Sequence, residues 1–180
     1  MTSRNVHHEA EGSSNLIKHD KHEDKWTIKP RALNIVWGKD PRYWRLSEEE
    51  GPAHLLQVSW LEVTGKLSLD RLKKNREYTV KFKVELSPDH FGWEESPVYF
   101  MVRVGGEDRV WRKAYIGAHA RSRPGEEFEV PATDRPLKFE VPAMLGTGEK
   151  LEFGMYEIWR GRWKGGLVIR EVIIQPVANI

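Results

Sequence analysis

The sequence predicts an all-β fold, an antiparallel β-sandwich of jelly-roll type with one or two short helical turns. Three observations carry this expectation. Residues 78–86 alternate apolar Tyr78, Val80, Phe82, Val84 and Leu86 with polar Thr79, Lys81, Lys83 and Glu85, the period-2 signature of a strand with one face buried and one wet. Further runs rich in β-branched and aromatic residues cover 55–66, 98–104, 110–116, 137–141, 150–158 and 167–177. Turn chemistry separates them at Ser87-Pro88-Asp89, Gly105-Gly106, Pro124-Gly125, Gly146-Thr147-Gly148 and Gly165-Gly166. No helical pattern alternates with these runs, and no propeller or solenoid period is visible, so neither a parallel sheet nor a repeat architecture is expected.

The elements follow in chain order. Residues 1–25 are polar, charged and nearly free of large hydrophobes, so they read as a flexible tail that cannot offset its ordering entropy by burial. Four of the seven histidines fall there, His7, His8, His19 and His22, interleaved with Glu9, Glu11, Asp20, Glu23 and Asp24. A histidine-rich tail without fixed geometry is not a metal site, and no metal is expected. Residues 26–180 form the folded domain. Within it, residues 33–44 (LNIVWGKDPRYW) read as a strand that places Leu33, Ile35 and Trp37 on one side, broken by Asp40-Pro41. Tyr43 and Trp44 then stand on a rim beside Trp37. Such a platform suits the C–H faces of sugar rings, bases or another protein, while simple core packing accounts for the same residues.

Residues 47–55 (SEEEGPAHL) open with Ser47 and carry Glu50 three places later, a capping pattern interrupted by Gly51-Pro52; residues 68–72 can form one turn. Trp60 shares a strand face with Leu56 and Val58 and reads as core. Trp93, after Phe91-Gly92, packs a loop end. Trp111 neighbours Arg109, Arg112 and Lys113, the one place where single-stranded nucleic acid could stack. In residues 150–158, Leu151, Phe153 and Met155 face the core. Glu157 ends that row as a partly solvated carboxylate. Trp159, Trp163 and Lys164 follow before Gly165-Gly166, either as the rim of a groove or as a hairpin whose indoles cover the sandwich.

Composition bounds the function. The 180 residues suffice for one domain without staples, and cysteine is absent, which removes disulfides, thiol nucleophiles and thiolate metal sites and points to a reducing compartment. With 29 basic and 27 acidic side chains the formal charge is +2, too weak a field to make nucleic acid or an anionic membrane the obvious partner. No signal peptide and no run of eighteen apolar residues is present, so a soluble cytoplasmic protein is expected. Nucleophile elbow, P-loop and dinucleotide fingerprint are all missing, and His54, His90 and His119 are isolated. Glu140, Glu152, Glu157 and Glu171 could supply the carboxylate pair of a glycosidase; charges on a wet sheet face explain them equally. No catalysis and no cofactor are expected.

Four segments together carry a family resemblance: LNIVWGKDPRYW, VSWLEVTGKL from Val58, YTVKFKVEL from Tyr78, and MYEIWRGRWKGGLVIREVIIQP from Met155. Across residues 30–177 the chain resembles the plant phloem protein 2 lectins, also called the Nictaba-like family. The resemblance implies a β-sandwich lectin that binds N-acetylglucosamine oligomers, such as chitin fragments and the core of N-glycans, without a metal and as a homodimer. It implies sugar contacts at Trp37 and Trp44 with Glu157 as a polar partner, and a role in defence against chitin-bearing insects or fungi. The expected carbohydrate-binding set is therefore Trp37, Tyr43, Trp44, Glu157, Trp163 and Lys164. The chain departs from the family at Leu46, where a second tryptophan often stands, and lacks the basic nuclear signal, for which Arg121-Ser122-Arg123 is no substitute. It has no cysteines for cross-linking and no preceding F-box, so a stand-alone lectin of cytoplasm or phloem sap is expected. An RNA-binding role, marked by steep salt dependence, and a protein-interaction module with a degenerate sugar site are the alternatives.

Overall fold

In the computed structural model, which describes residues 5–177, the strands form two antiparallel sheets packed face to face. In chain order they are β1 (Ile17–Asp20), β2 (Lys25–Ile28), β3 (Asn34–Ile35), β4 (Trp44–Leu46), β5 (Ala53–Leu55), β6 (Leu61–Ser68), β7 (Glu77–Phe91), β8 (Val98–Val104), β9 (Val110–Ala114), β10 (Phe128–Val130), β11 (Leu137–Glu140), β12 (Lys150–Glu157) and β13 (Gly165–Pro176). One helix, α1 (Ile116–Ser122), follows β9. The smaller sheet has the order β3-β6-β12-β8-β9. The larger runs β1-β2-β13-β5-β4, with β7 also on β13 and carrying β10 and β11 along its other edge. Phe82 of β7 meets Phe100 of β8 and Phe153 of β12 across the gap, ring centroids 5.5 and 6.4 Å apart, so the alternating rows read from the sequence form the core between the sheets.

The predicted all-β sandwich is thus the observed architecture, and the differences are local. Ser87-Pro88-Asp89 does not end its strand. β7 continues to Phe91 and pairs with Gly165, and the register shift between Gly165 and Leu167 absorbs the extra residues at a bulge, where proline is tolerated. Residues 47–55 form no helix: Glu49 takes a left-handed φ of 54°, and Ala53–Leu55 inserts as β5 between β4 and β13. Residues 68–72 do supply a single 3-10 turn, Leu69–Arg71. The helix α1 lies where the strand pattern fades, with Ile116 and Ala120 buried on one face.

The largest departure is at the amino end. Residues 1–4 of the expected flexible tail lie outside the described residues, but the stretch from Asn5 onward is built into the fold. β1 and β2 form a hairpin with Ile17 opposite Ile28, Leu16 is buried, and His8 exchanges backbone hydrogen bonds with Ile35 (3.0 and 2.9 Å). The His8 ring donates to the Arg31 carbonyl and the His19 ring to Asp24, so these histidines sit in separate contacts. A count of apolar residues misses this, because backbone pairing and one buried polar anchor supply the order.

That anchor is Asp24, at a φ of 53° in the hairpin turn. Its carboxylate accepts the Tyr78 hydroxyl at 2.7 Å, His19 Nε2 at 2.8 Å and Arg76 Nη1 at 3.3 Å. Burial works against ionisation of Asp24, but the Tyr78 and His19 hydrogen bonds and the Lys73 and Arg76 charges outweigh it and hold its pKa below the ordinary 3.8. Burial, with Asp24 alongside, pushes the Tyr78 hydroxyl up to about 12, so it remains a donor. A depressed carboxyl pKa adds stability that is present above the unfolded value and is lost as pH falls through the folded one. Asp24→Asn is therefore expected to lower the melting temperature at pH 7, with the gap to wild type closing below about pH 4. A gap of equal size at pH 7 and pH 3 in thermal scans would contradict this linkage.

Candidate functional site

Three segments converge on one aromatic cleft: the turns of residues 36–43, the link 56–60 between the two sheets, and the loop 158–164. The first is shaped by Asp40. Its backbone carbonyl accepts the Tyr43 and Trp44 N–H groups at 3.0 Å, and its carboxylate accepts the Arg42 N–H, Nε and Nη2 at 3.0, 3.1 and 2.8 Å. These bonds from Arg42 hold the Asp40 carboxyl below its usual range and place the guanidinium over the Tyr43 ring, 5.0 Å from its centre. Trp37 takes a left-handed φ of 66° and donates its N–H to His7 Nδ1 at 2.9 Å. This conformation ends the strand at Ile35 and turns the Trp37 indole away from the row of Leu33 and Ile35.

The cleft has a volume of about 250 Å³ and is lined by Trp37, Tyr43, Val58, Ser59, Trp60 and Trp163. Trp37 stands edge-on to Tyr43 (5.7 Å, 68°), and Tyr43 is tilted toward Trp163 (6.2 Å, 34°). Trp60 and Trp163 are 43% and 52% exposed, leaving indole surface open to a ligand. Trp37 and Trp60 also border an adjoining opening with His7, Val36, Ser59 and Glu62, where Trp60 Nε1 donates to Glu62 Oε1 at 3.2 Å.

Of the six predicted site residues, the structure brings Trp37, Tyr43 and Trp163 together and removes the other three from the surface. Trp44 is 2% exposed: it pairs with Leu55 in β4–β5 and packs in the core, because alternation lets only one of two consecutive residues face the rim. Glu157 and Lys164 are fully buried rather than partly solvated. Glu157 sits on the inward row of β12, and its Oε2 lies 2.5 Å from Lys164 Nζ, which also donates to the carbonyls of Ser59 (3.0 Å) and Arg162 (2.9 Å). Reciprocal backbone bonds of 2.9 Å tie Lys164 to Val58. The pair therefore fastens the loop 158–164 to the link 56–60 and supports the cleft from below. Gly165 permits this closeness, since a Cβ there would stand 2.0 Å from the Leu56 carbonyl oxygen. Trp93 packs the neighbouring loop end and donates Nε1 to the Gly165 carbonyl at 2.8 Å.

Trp60 is the residue that sequence reasoning misplaced. The run 55–66 is not one strand: it leaves the larger sheet at Leu55 and enters the smaller at Leu61, so Trp60 lies on the crossing and is exposed. A signal existed. The apolar alternation changes phase between Trp60 and Leu61, from even to odd positions, which marks a break in the strand. The four glutamates weighed as a catalytic pair are dispersed: Glu157 faces Lys164, Glu171 faces Lys29 at 3.0 Å, Glu152 lies between Lys66 and Arg103, and Glu140 is on β11. None of them lines this cleft.

The family model described as phloem protein 2 matches residues 23–176. Protein PHLOEM PROTEIN 2-LIKE A9 of Arabidopsis thaliana is 36% identical over 98% of this chain and 99% of its own length. PHLOEM PROTEIN 2-LIKE A1 of the same plant is 31% identical over 81% of the chain but 59% of its own length. A protein of Luffa acutangula named lectin is 26% identical over 81% of the chain and 68% of its own length. The family match runs from the turn before β2 to the end of β13 and takes in every residue that lines the cleft, though not His7 of the adjoining opening, and on this match the chain belongs to the phloem protein 2 family.

Proposed function

We propose that this protein is a lectin that binds N-acetylglucosamine oligomers, as in chitin fragments and N-glycan cores, in the cleft of Trp37, Tyr43, Trp60 and Trp163. The observation that carries the reading is the set of part-exposed aromatic rings held at different angles around a cleft of about 250 Å³. Membership of the family and the Luffa relative named lectin support it. Flat indole faces take the C–H faces of pyranose rings, each contact worth about 0.5–1.5 kcal/mol beyond area burial by analogy with aromatic pairs. Ser59, Glu62 and His7 at the edges can bond hydroxyl and acetamido groups, and a site built on such bonds rejects analogues that leave them unpaired. Recognition needs no chemistry on the sugar. A homodimer would add avidity on polymers and glycoproteins. The absence of cysteine agrees with a cytoplasmic or phloem-sap setting, and among the described residues no helix is long and apolar enough to cross a membrane.

Calorimetric titration with chitotriose tests the reading. The wild-type protein is expected to bind with a micromolar constant, about −8 kcal/mol, with little dependence on salt. Trp60→Ala and Trp163→Ala should each weaken binding about tenfold or more while leaving the fold intact, as both side chains are largely exposed. No heat with the wild-type protein would overturn the reading, and a steep loss of affinity with salt would favour an anionic ligand instead.

A further inference from the structure

A second group of aromatic side chains stands on the outer face of the smaller sheet, next to Glu62 at the edge of the first cleft and sharing none of that cleft's aromatic rings. Strand register builds it. Glu62 of β6 lies opposite Tyr156 of β12, Tyr156 opposite Tyr99 of β8, and Tyr99 opposite Lys113 of β9; Trp111 of β9 lies opposite Met101 in the next row. Trp159, from the loop after β12, stands edge-on to Tyr99 (5.0 Å, 77°) and to Trp111 (6.2 Å, 72°), while Trp111 stands edge-on to Tyr156 (5.4 Å, 61°). The Tyr156 ring folds back over Gly154, where a Cβ would come within 2.7 Å of it, so the absence of a side chain at residue 154 keeps the floor flat. Tyr99, Trp111, Trp159 and Arg160, with the edge of the otherwise buried Glu157, line a groove of about 400 Å³, within the usual range for small-ligand sites. Trp159 is 58% and Trp111 38% exposed.

The chemistry of the groove favours a neutral ring over a polyanion. Its lining sets one carboxylate, Glu157, against one guanidinium, Arg160, and of the cations around it Arg112 donates to the carbonyls of Pro136 and Trp111, Arg160 to that of Glu95, Lys113 stands over the Tyr115 ring, Arg109 bears on Tyr156, and Lys66 and Arg103 flank Glu152. These last three charges also end the apolar surface four residues along β12 from Tyr156. The patch is thus narrow, whereas a stable protein interface buries roughly 800 Å² per partner. Burial, with Glu62 and Glu152 adding to it, pushes the Tyr156 hydroxyl up to about 12, which keeps it a hydrogen-bond donor for a sugar oxygen.

The two aromatic groups are also in line. Trp60 of the first cleft donates to Glu62, and from Glu62 the row passes Tyr156 to Tyr99 in two inter-strand steps, about 10 Å. The loop 158–164 serves both, with Trp163 in the first cleft and Trp159 in the second. We propose that Tyr99, Trp111 and Trp159 form a further subsite on the same track. A long N-acetylglucosamine oligomer would then cross the strands from Trp60 past Glu62 and Tyr156 to Trp159. This rests on the lectin reading of the first cleft.

The test compares chitotriose with chitohexaose by calorimetry for the wild-type protein, Trp159→Ala, Trp111→Ala and Trp60→Ala. The wild-type protein is expected to favour the hexamer by about tenfold or more. Trp159→Ala and Trp111→Ala should abolish that preference while their chitotriose affinity stays within about twofold of wild type, and Trp60→Ala should weaken both ligands. A wild-type protein that binds both oligomers equally, or a preference that survives in both variants, overturns the subsite and leaves the first cleft standing. Loss of chitotriose binding in Trp159→Ala or Trp111→Ala also overturns it, because the two clefts would then not be separable. A wild-type protein that binds neither oligomer removes the lectin reading and the subsite together.

Discussion

Lys164→Met is expected to cost about 3–5 kcal/mol of folding stability, because it leaves the Glu157 carboxylate buried with no countercharge. Both side chains are sealed from solvent, and the ammonium also satisfies the carbonyls of Ser59 and Arg162, so the substitution orphans an anion and two acceptors together. Equilibrium urea unfolding would register the loss as a lower midpoint. The double variant Glu157→Leu with Lys164→Met should recover much of it, since a buried ion pair replaced by hydrophobes of similar volume is often near neutral. Equal stability of Lys164→Met and wild type would mean that the pair is not shielded as described. Because the pair fastens the loop 158–164 to the link 56–60, the single variant should also bind chitotriose more weakly, through the displacement of Trp60 and Trp163 rather than the loss of a ligand contact.

Trp44→Ala has a comparable expected cost, about 3–5 kcal/mol, by the cavity that deletion of a buried indole leaves between β4 and the core. Loss of sugar binding in that variant would therefore not identify Trp44 as a sugar contact. Trp44→Phe separates the two roles. It keeps an aromatic ring in the core and removes an indole N–H that has no hydrogen-bond partner there. Folded Trp44→Phe should bind chitotriose within about twofold of wild type, where Trp60→Ala falls about tenfold. A Trp44→Phe protein with native near-ultraviolet circular dichroism but no binding would restore Trp44 to the site and contradict the buried placement.

Much of the fold was legible because its code is local and periodic. The alternation in residues 78–86 and the row Leu151, Phe153 and Met155 name the inward faces of β7 and β12, composition marks residues 98–104 and 137–141 as strands, and these elements form the core. The hairpin β1–β2 was not legible, since its order comes from pairing with β13 and from Asp24 meeting Tyr78, a residue 54 positions away. The loop aromatics divided in the same way. Trp37, Tyr43 and Trp163 could be nominated from residue type beside turn residues, but their convergence required the sheets to bring residues 37, 60 and 163 to one place.

From the sequence alone came the all-β class and the aromatic character of the surface, because composition and period-2 patterning are carried by each strand separately, and the phloem protein 2 resemblance, carried by four particular segments. Tertiary structure alone decided which indoles are exposed. Trp44 turns inward and Trp60 outward according to which sheet each neighbouring strand joins, and Glu157 and Lys164 become a buried clasp because the link 56–60 and the loop 158–164 close over both charges. Exposure depends on what the rest of the chain places over a side chain, a long-range property that no local pattern encodes.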